Sequence, residues 1–132
     1  MTARYHGDMA TRAPAHAASV SPYCPMFQQA VELIGRRWSG AIVRALLAGS
    51  VRFSDILARV PGLSDRLLSE RLRELEAAGI VTRAVYPETP VRIEYGLTEK
   101  GRELEAIVFA LDRWAGRWGG SAPGKGCTHG DA

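Results

Sequence analysis

The chain is poor in the residue types that most catalytic and metal-binding chemistry uses. Its 132 residues include three histidines, His6, His16 and His129, and two cysteines, Cys24 and Cys127. The histidines all fall in end segments without apolar periodicity, where no packed shell can hold a general base. One cysteine precedes the first apolar helix pattern and the other lies in a glycine-rich tail, which excludes a disulfide framework. Cys127 and His129 supply two ligands on a flexible segment, too few for a metal site, so no metal is expected. There is no phosphate-cradling glycine loop and no nucleophile elbow, and Glu103 and Glu105 read as solvated charges on a helix face. These absences argue against an enzyme and give no reason to expect a cofactor.

Long hydrophobic runs are missing too. The opening MTARYHGDMATRAPAHAASV lacks the apolar segment of about 7–15 residues that a signal peptide requires, and no run reaches membrane-spanning length. With so little cysteine, the simplest setting is the reducing cytoplasm, with no membrane partner. Lysine is nearly absent: fifteen of the seventeen cations are arginine, against fourteen acids, for a formal charge of +3. Arginine is a planar fork suited to phosphates and guanine edges, although genomic base composition produces the same bias.

What is present is one globular domain of ordinary size, 46% hydrophobic and 23% charged. Residues 1–21 read as a disordered extension and residues 119–132 as a flexible tail. Between them, over 22–118, every segment has a period. Pro25 suits a first helical turn, and Phe27, Val31, Ile34 and Trp38 repeat at helical spacing. Ser39 is placed to cap a second helix, with Ile42, Val43, Leu46 and Leu47 inward and Gly49 as its stop. Ser54 is placed to cap a third, with Ile56, Leu57 and Val60 inward, ended by Pro61 and Gly62. Ser64 opens a fourth helix striped by Leu68, Leu72 and Leu75. The period then becomes two over residues 80–86 and 91–95, a hairpin with a proline-bounded tip. Thr98 caps a last, long helix carrying Leu104, Ile107, Val108, Leu111, Trp114 and Trp118. The fold class is mainly α with a small β-hairpin (α+β), and this order of elements is that of a winged helix-turn-helix with the hairpin as wing.

The candidate site is the fourth helix. With Leu68 as zero, Leu72 and Leu75 lie within about 40° of it, while Arg66, Ser69, Glu70, Arg73 and Ala77 fall between about 100° and 200°. They therefore project together away from the core. Arginine pairs bidentately with guanine, glutamate accepts from cytosine N4, and serine serves a base or a phosphate. A charged outer face is often no more than a solvated one, and Arg66 with Glu70 is an ordinary i,i+4 pair. The position of the helix, after a Pro-Gly turn and before a hairpin carrying Arg83 and Arg92, favours DNA.

At these residues the chain resembles the HxlR-type bacterial transcription regulators. The resemblance runs over 24–118 through the Cys24-Pro25 start, IGxxW, RFxxL, PGxSxxLLxxRLxELExxGxVxR, VYPExPxxIEYxLTExG and the aromatic end of the last helix. It implies a homodimer, joined through the first and last helices, that binds double-stranded operator DNA. Carried onto this sequence, it puts the recognition helix at 64–78, in the major groove, with Ser64, Arg66, Ser69, Glu70 and Arg73 facing the bases. It puts the wing at 85–92, on the backbone or minor groove, with Arg92 as a phosphate contact. Arg36, Arg37 and Ser39 match the basic entry to the second helix, with the two arginines approaching the DNA backbone. Glu70 departs from the family pattern, where uncharged or basic residues are commoner, and an alternative role is to orient Arg66 or Arg73.

Phe27, Val31, Leu111, Trp114 and Trp118 are the residues assigned to the dimer interface, with packing inside the subunit as the alternative, above all for Leu104 and Leu111. Some members of the family sense oxidants or electrophiles through a cysteine where Cys24 stands. Its thiolate would face a positive helix end, and the alternative is a small buried apolar group. A small aromatic effector near Trp38, Trp114 and Phe27 is a further option, as is a winged helix used for protein contacts without DNA. The expectation is a sequence-specific DNA-binding regulator, acting as a repressor.

Overall fold

The chain divides into two units, Met1–Glu32 and Leu33–Ala132, and the computed structural model describes residues 20–119. The element order is α1 (Pro25–Ile34), α2 (Ser39–Leu47), α3 (Phe53–Arg59), α4 (Asp65–Ala77), β1 (Val81–Tyr86), β2 (Arg92–Leu97), α5 (Glu99–Arg102) and α6 (Glu105–Trp118). The expected end segments, with His6, His16, Cys127 and His129, lie outside the described residues except at positions 20, 21 and 119.

In the first unit, Pro25 holds the first position of α1, where a missing N–H costs nothing. Gln28 N donates to Cys24 O at 2.9 Å, closing the first turn. Cys24 is half-buried, and Tyr23, Cys24 and Phe27 line a cavity of about 390 Å³. Phe27 and Val31 are exposed.

The second unit is built on one apolar cluster. Ile42, Val43 and Leu46 of α2, Ile56 of α3, Leu68, Leu72 and Leu75 of α4, and Ile80 with Val81 of the strand entry are all buried. Each of these side chains contributes on the order of 1.5–3 kcal/mol by leaving water. The stripes expected on the second, third and fourth helices are therefore the ones that meet. β1 and β2 pair antiparallel from Val81↔Leu97 to Tyr86↔Arg92, extending the second strand two residues beyond its expected end.

Three local expectations are corrected. Ser39 does not cap α2: the N-cap is Trp38, at φ 78°, and Ser39 is the first helical residue, 1% exposed. Its side chain lies on the i, i+3, i+4 stripe with Ile42 and Val43, so it turns inward. Ser54 likewise lies inside α3, whose N-cap is Arg52. The last helix is not continuous. Thr98 Oγ1 accepts from Gly101 N at 2.9 Å and donates to Gly79 O at 2.6 Å, fastening the start of α5 to the end of α4. A Cβ at Gly101 would stand 2.3 Å from Ile80 O, so this close approach requires glycine. Leu104 N then bonds Gly101 O at 3.0 Å, an i to i−3 bond that tightens the turn and separates α5 from α6. Among the described residues no helix is long and apolar enough to cross a membrane.

Candidate nucleic-acid interface

The start of α4 is set by Ser64, whose backbone is extended and whose Oγ accepts from Leu67 N at 3.2 Å. Asp65 follows in the first turn, where a carboxylate favours the positive helix end. At the other end Gly79 adopts φ 78°, its N–H bonds Glu76 O at 3.0 Å, and Ile80 N bonds Leu75 O at 2.9 Å. That crossed pair stops the helix and turns the chain into β1. The expected bounds 64–78 thus coincide with the two caps, Ser64 and Ala78.

Opposite the leucine stripe, Arg66, Ser69, Glu70 and Arg73 share the outer face. Arg66 is open, its side chain 87% exposed, with Nε 3.5 Å from Glu70 Oε2. The other Glu70 oxygen lies 3.5 Å from Arg71 Nη1, and Glu74 lies 3.6 Å from the same nitrogen and 3.2 Å from Arg36 Nε. Glu70 is therefore a bridge between an exposed arginine and a buried one. No contact joins it to Arg73 among the ion pairs of the described residues.

Arg71 is the residue that the sequence reading misses. Its side chain is only 9% exposed, and its Nε donates to Arg37 O at 2.9 Å. Its signal was its wheel position, about 60° from Leu68 and so beside the leucine stripe. The peptide it holds lies next to Trp38, a bulky residue with left-handed φ that costs on the order of 1–3 kcal/mol. Arg71 thus ties α4 to the entry of α2, where Arg36 and Arg37 stand. The Arg37 guanidinium lies 5.1 Å from the centroid of the Trp38 ring, while Arg36 pairs with Glu74 and remains half exposed. Ser39, 1% exposed, cannot offer its hydroxyl to a ligand in this conformation.

On the hairpin, Arg92, the residue assigned to a phosphate contact, is engaged by two carboxylates. It donates to Glu88 from Nε at 3.2 Å and from Nη2 at 2.7 Å, and to Glu94 from Nη1 at 2.6 Å. It also lies 3.9 Å from the Tyr86 ring centroid. The hydrogen bond donated by Arg92 holds the Glu88 carboxyl below the usual carboxylate range, and donating to Glu88 and Glu94 in turn pushes Arg92 higher. Its guanidinium thus links Glu88 at the hairpin tip to Glu94 of β2.

Along α6 the faces separate. Leu104 and Val108 pack on the core, while Ile107, Leu111, Trp114 and Trp118 form an exposed stripe at helical spacing. Trp114 and Trp118 are 62% and 68% exposed, so subunit packing does not account for them. Ala106, Ile107, Ala110, Leu111 and Trp114 line a shallow apolar depression of about 440 Å³.

Comparison with known proteins converges on one group. The model of the HxlR-like helix-turn-helix family matches residues 33–122. The HTH-type transcriptional regulator YvaP of Bacillus subtilis (strain 168) is 54% identical over 98 residues, 74% of this chain and 91% of that protein. YodB, an HTH-type transcriptional regulator of the same organism, is 46% identical over 92 residues, 70% of this chain and 82% of that protein. The structure of reduced YodB aligns with a TM-score of 0.66 at 43% identity, covering 78% of this chain and 99% of that one. The redox regulator HypR in its oxidized form aligns with a TM-score of 0.64 at 40% identity, covering 70% and 94%. The helix, turn, helix and hairpin described above lie inside the matched span, and the chain belongs to the HxlR-like helix-turn-helix family of transcriptional regulators.

Proposed function

We propose that the protein is a dimeric, sequence-specific DNA-binding repressor of the cytoplasm, with α4 in the major groove and the hairpin tip, residues 85–92, against the backbone or minor groove. One observation carries this reading: Arg66, Ser69 and Arg73 share the solvent face of α4, opposite a fully buried leucine stripe. Arg66 stands nearest the helix N-terminus and is the leading candidate for bidentate recognition of guanine. Arg36 and Arg37, at the entry to α2, are assigned to the DNA backbone. The exposed stripes on α1 and on α6 support the dimer, since apolar faces of that extent are characteristic of interaction surfaces. The test is binding of wild type and Arg66→Ala to an operator recovered by selection from genomic fragments. The substitution costs about 1–3 kcal/mol and relaxes preference at one base position. A uniform loss over all sequences would assign Arg66 to the backbone. Binding that does not weaken with salt would favour a protein-interaction module instead.

A second reading concerns the signal. Cys24 is half-buried at the start of α1 and lines a cavity with Tyr23 and Phe27, and relatives of this chain include a protein described as a redox regulator. Oxidants and electrophiles react with a cysteine sulfur that they can reach, and the cavity gives such access. Oxidant or electrophile treatment is then expected to change DNA binding by the wild type and to leave Cys24→Ser unchanged. Equal responses would rule the reading out.

A further inference from the structure

The two hairpin arginines lie on opposite faces of the sheet. Paired residues of an antiparallel ladder share a face and successive residues alternate, so Val81, Arg83 and Val85 lie with Leu97, Tyr95 and Ile93 on one side. Tyr86, Arg92 and Glu94 lie on the other. Val81 is 2% exposed within the core that α4 covers, so Arg83, two residues on, continues the side that faces α4. Arg83 in fact lines a notch of about 320 Å³ with Ser69, Leu72, Arg73 and Glu76 of α4 and its own cross-strand neighbour Tyr95. Charge separates the arginines as well. Arg92 is held by Glu88 and Glu94, whereas neither Arg73 nor Arg83 enters an ion pair among the described residues. Two guanidinium groups without an ion-pair partner among the described residues therefore line one opening beside the outer face of α4. Its other polar lining is Ser69, the Tyr95 phenol and the Glu76 carboxylate, whose charge opposes an anion.

We propose that this notch seats a DNA backbone phosphate, held by Arg83 of the hairpin and Arg73 of α4 with Ser69 beside them, and that Arg92 makes no phosphate contact. The proposal rests on the DNA-binding reading and moves Arg73 from the base edges to the groove wall. A helix lying in the major groove is flanked by the phosphates of both strands, and a pair of guanidinium forks matches a phosphate's oxygens.

The test is the salt dependence of binding to a fluorescein-labelled DNA duplex of mixed sequence, measured by anisotropy, because backbone contacts act on any sequence. Removing one phosphate-neutralising cation lowers the slope of log affinity against log salt by about 0.9. Arg83→Ala and Arg83→Gln each lower the slope by that amount, Arg83→Lys retains it, and Arg92→Ala leaves it at the wild-type value. Glu76→Gln binds more tightly than wild type. Thermal melting of every variant shows whether the fold is kept. A wild-type slope that survives in folded Arg83→Ala and Arg83→Gln overturns the proposal, as does an equal fall in Arg92→Ala. Wild type that binds the duplex without salt dependence overturns the DNA reading itself. Sodium phosphate at matched ionic strength competes no better than chloride; selective competition would mark the notch as a seat for a free phosphate and also overturn the proposal.

Discussion

Glu70 stands between Arg66 and Arg71 on α4. Its two oxygens divide between Arg66 and Arg71, and in the proposed DNA reading the first of these pairs orients Arg66 toward the groove. Glu70→Gln is therefore expected to tighten binding to mixed-sequence DNA and to lower the ratio of operator to non-specific affinity, both read by titration at one salt concentration. An unchanged ratio would count against the orienting role. A second residue-scale consequence concerns pH at the wing. The Glu88 carboxyl is held low by the Arg92 hydrogen bond. A depressed carboxylate pKa contributes stability above the ordinary glutamate range and loses it as pH falls through the depressed value. A carbon-13 NMR titration of Glu88 thus has its midpoint below that of an unfolded-chain glutamate, and Arg92→Ala returns it toward the ordinary range. The same midpoint in both proteins would contradict this pairing.

Among elements, α4 depends on Arg71 as well as on its leucines. Arg71→Ala removes a nearly buried guanidinium, the hydrogen bond to Arg37 O, and the partner shared by Glu70 and Glu74. Loss of such a pair costs on the order of 3 kcal/mol, measurable as a lower urea midpoint. A midpoint within error of wild type would show that Trp38 keeps its left-handed backbone without help. Much at this scale was legible in sequence, because it rested on local signals. Leu68, Leu72 and Leu75 declared the buried face of α4, Ser64 and Gly79 its ends, and the change to period two announced the hairpin. What was not legible depended on tertiary contact. Ser39 looks like a cap from its neighbours, but the buried stripe of α2 claims it and Trp38 takes the cap position. The separation of α5 from α6 comes with the Leu104 N to Gly101 O bond, beside a glycine whose close approach to Ile80 O no local pattern records. At the candidate site, Arg66, Ser69 and Arg73 could be grouped by wheel geometry alone. The pairing of Arg92 could not, since it depends on which carboxylates the hairpin brings beside it.

For the molecule as a whole, the proposed DNA reading needs two copies. A helix-turn-helix dimer contacts half-sites about one helical turn apart, which gives the operator its two-fold symmetry. The exposed stripe of Ile107, Leu111, Trp114 and Trp118 is the surface proposed for that assembly. Replacing both Leu111 and Trp114 with Glu puts charge on it without touching the core, because both side chains are exposed. Sedimentation is expected to show a monomer that melts near wild type and binds the operator on the order of 100-fold more weakly, since the second half-site contact is no longer linked to the first. A dimer that persists in this variant would move the interface elsewhere.

Whether the outer face of α4 reads DNA is decided by recovering bound fragments from sheared genomic DNA with wild type and with the Arg66→Ala, Arg73→Ala double variant, and sequencing them. Wild type is expected to enrich a two-fold symmetric sequence, and the folded double variant to enrich none. The same sequence recovered equally by both proteins would contradict a reading role for this face.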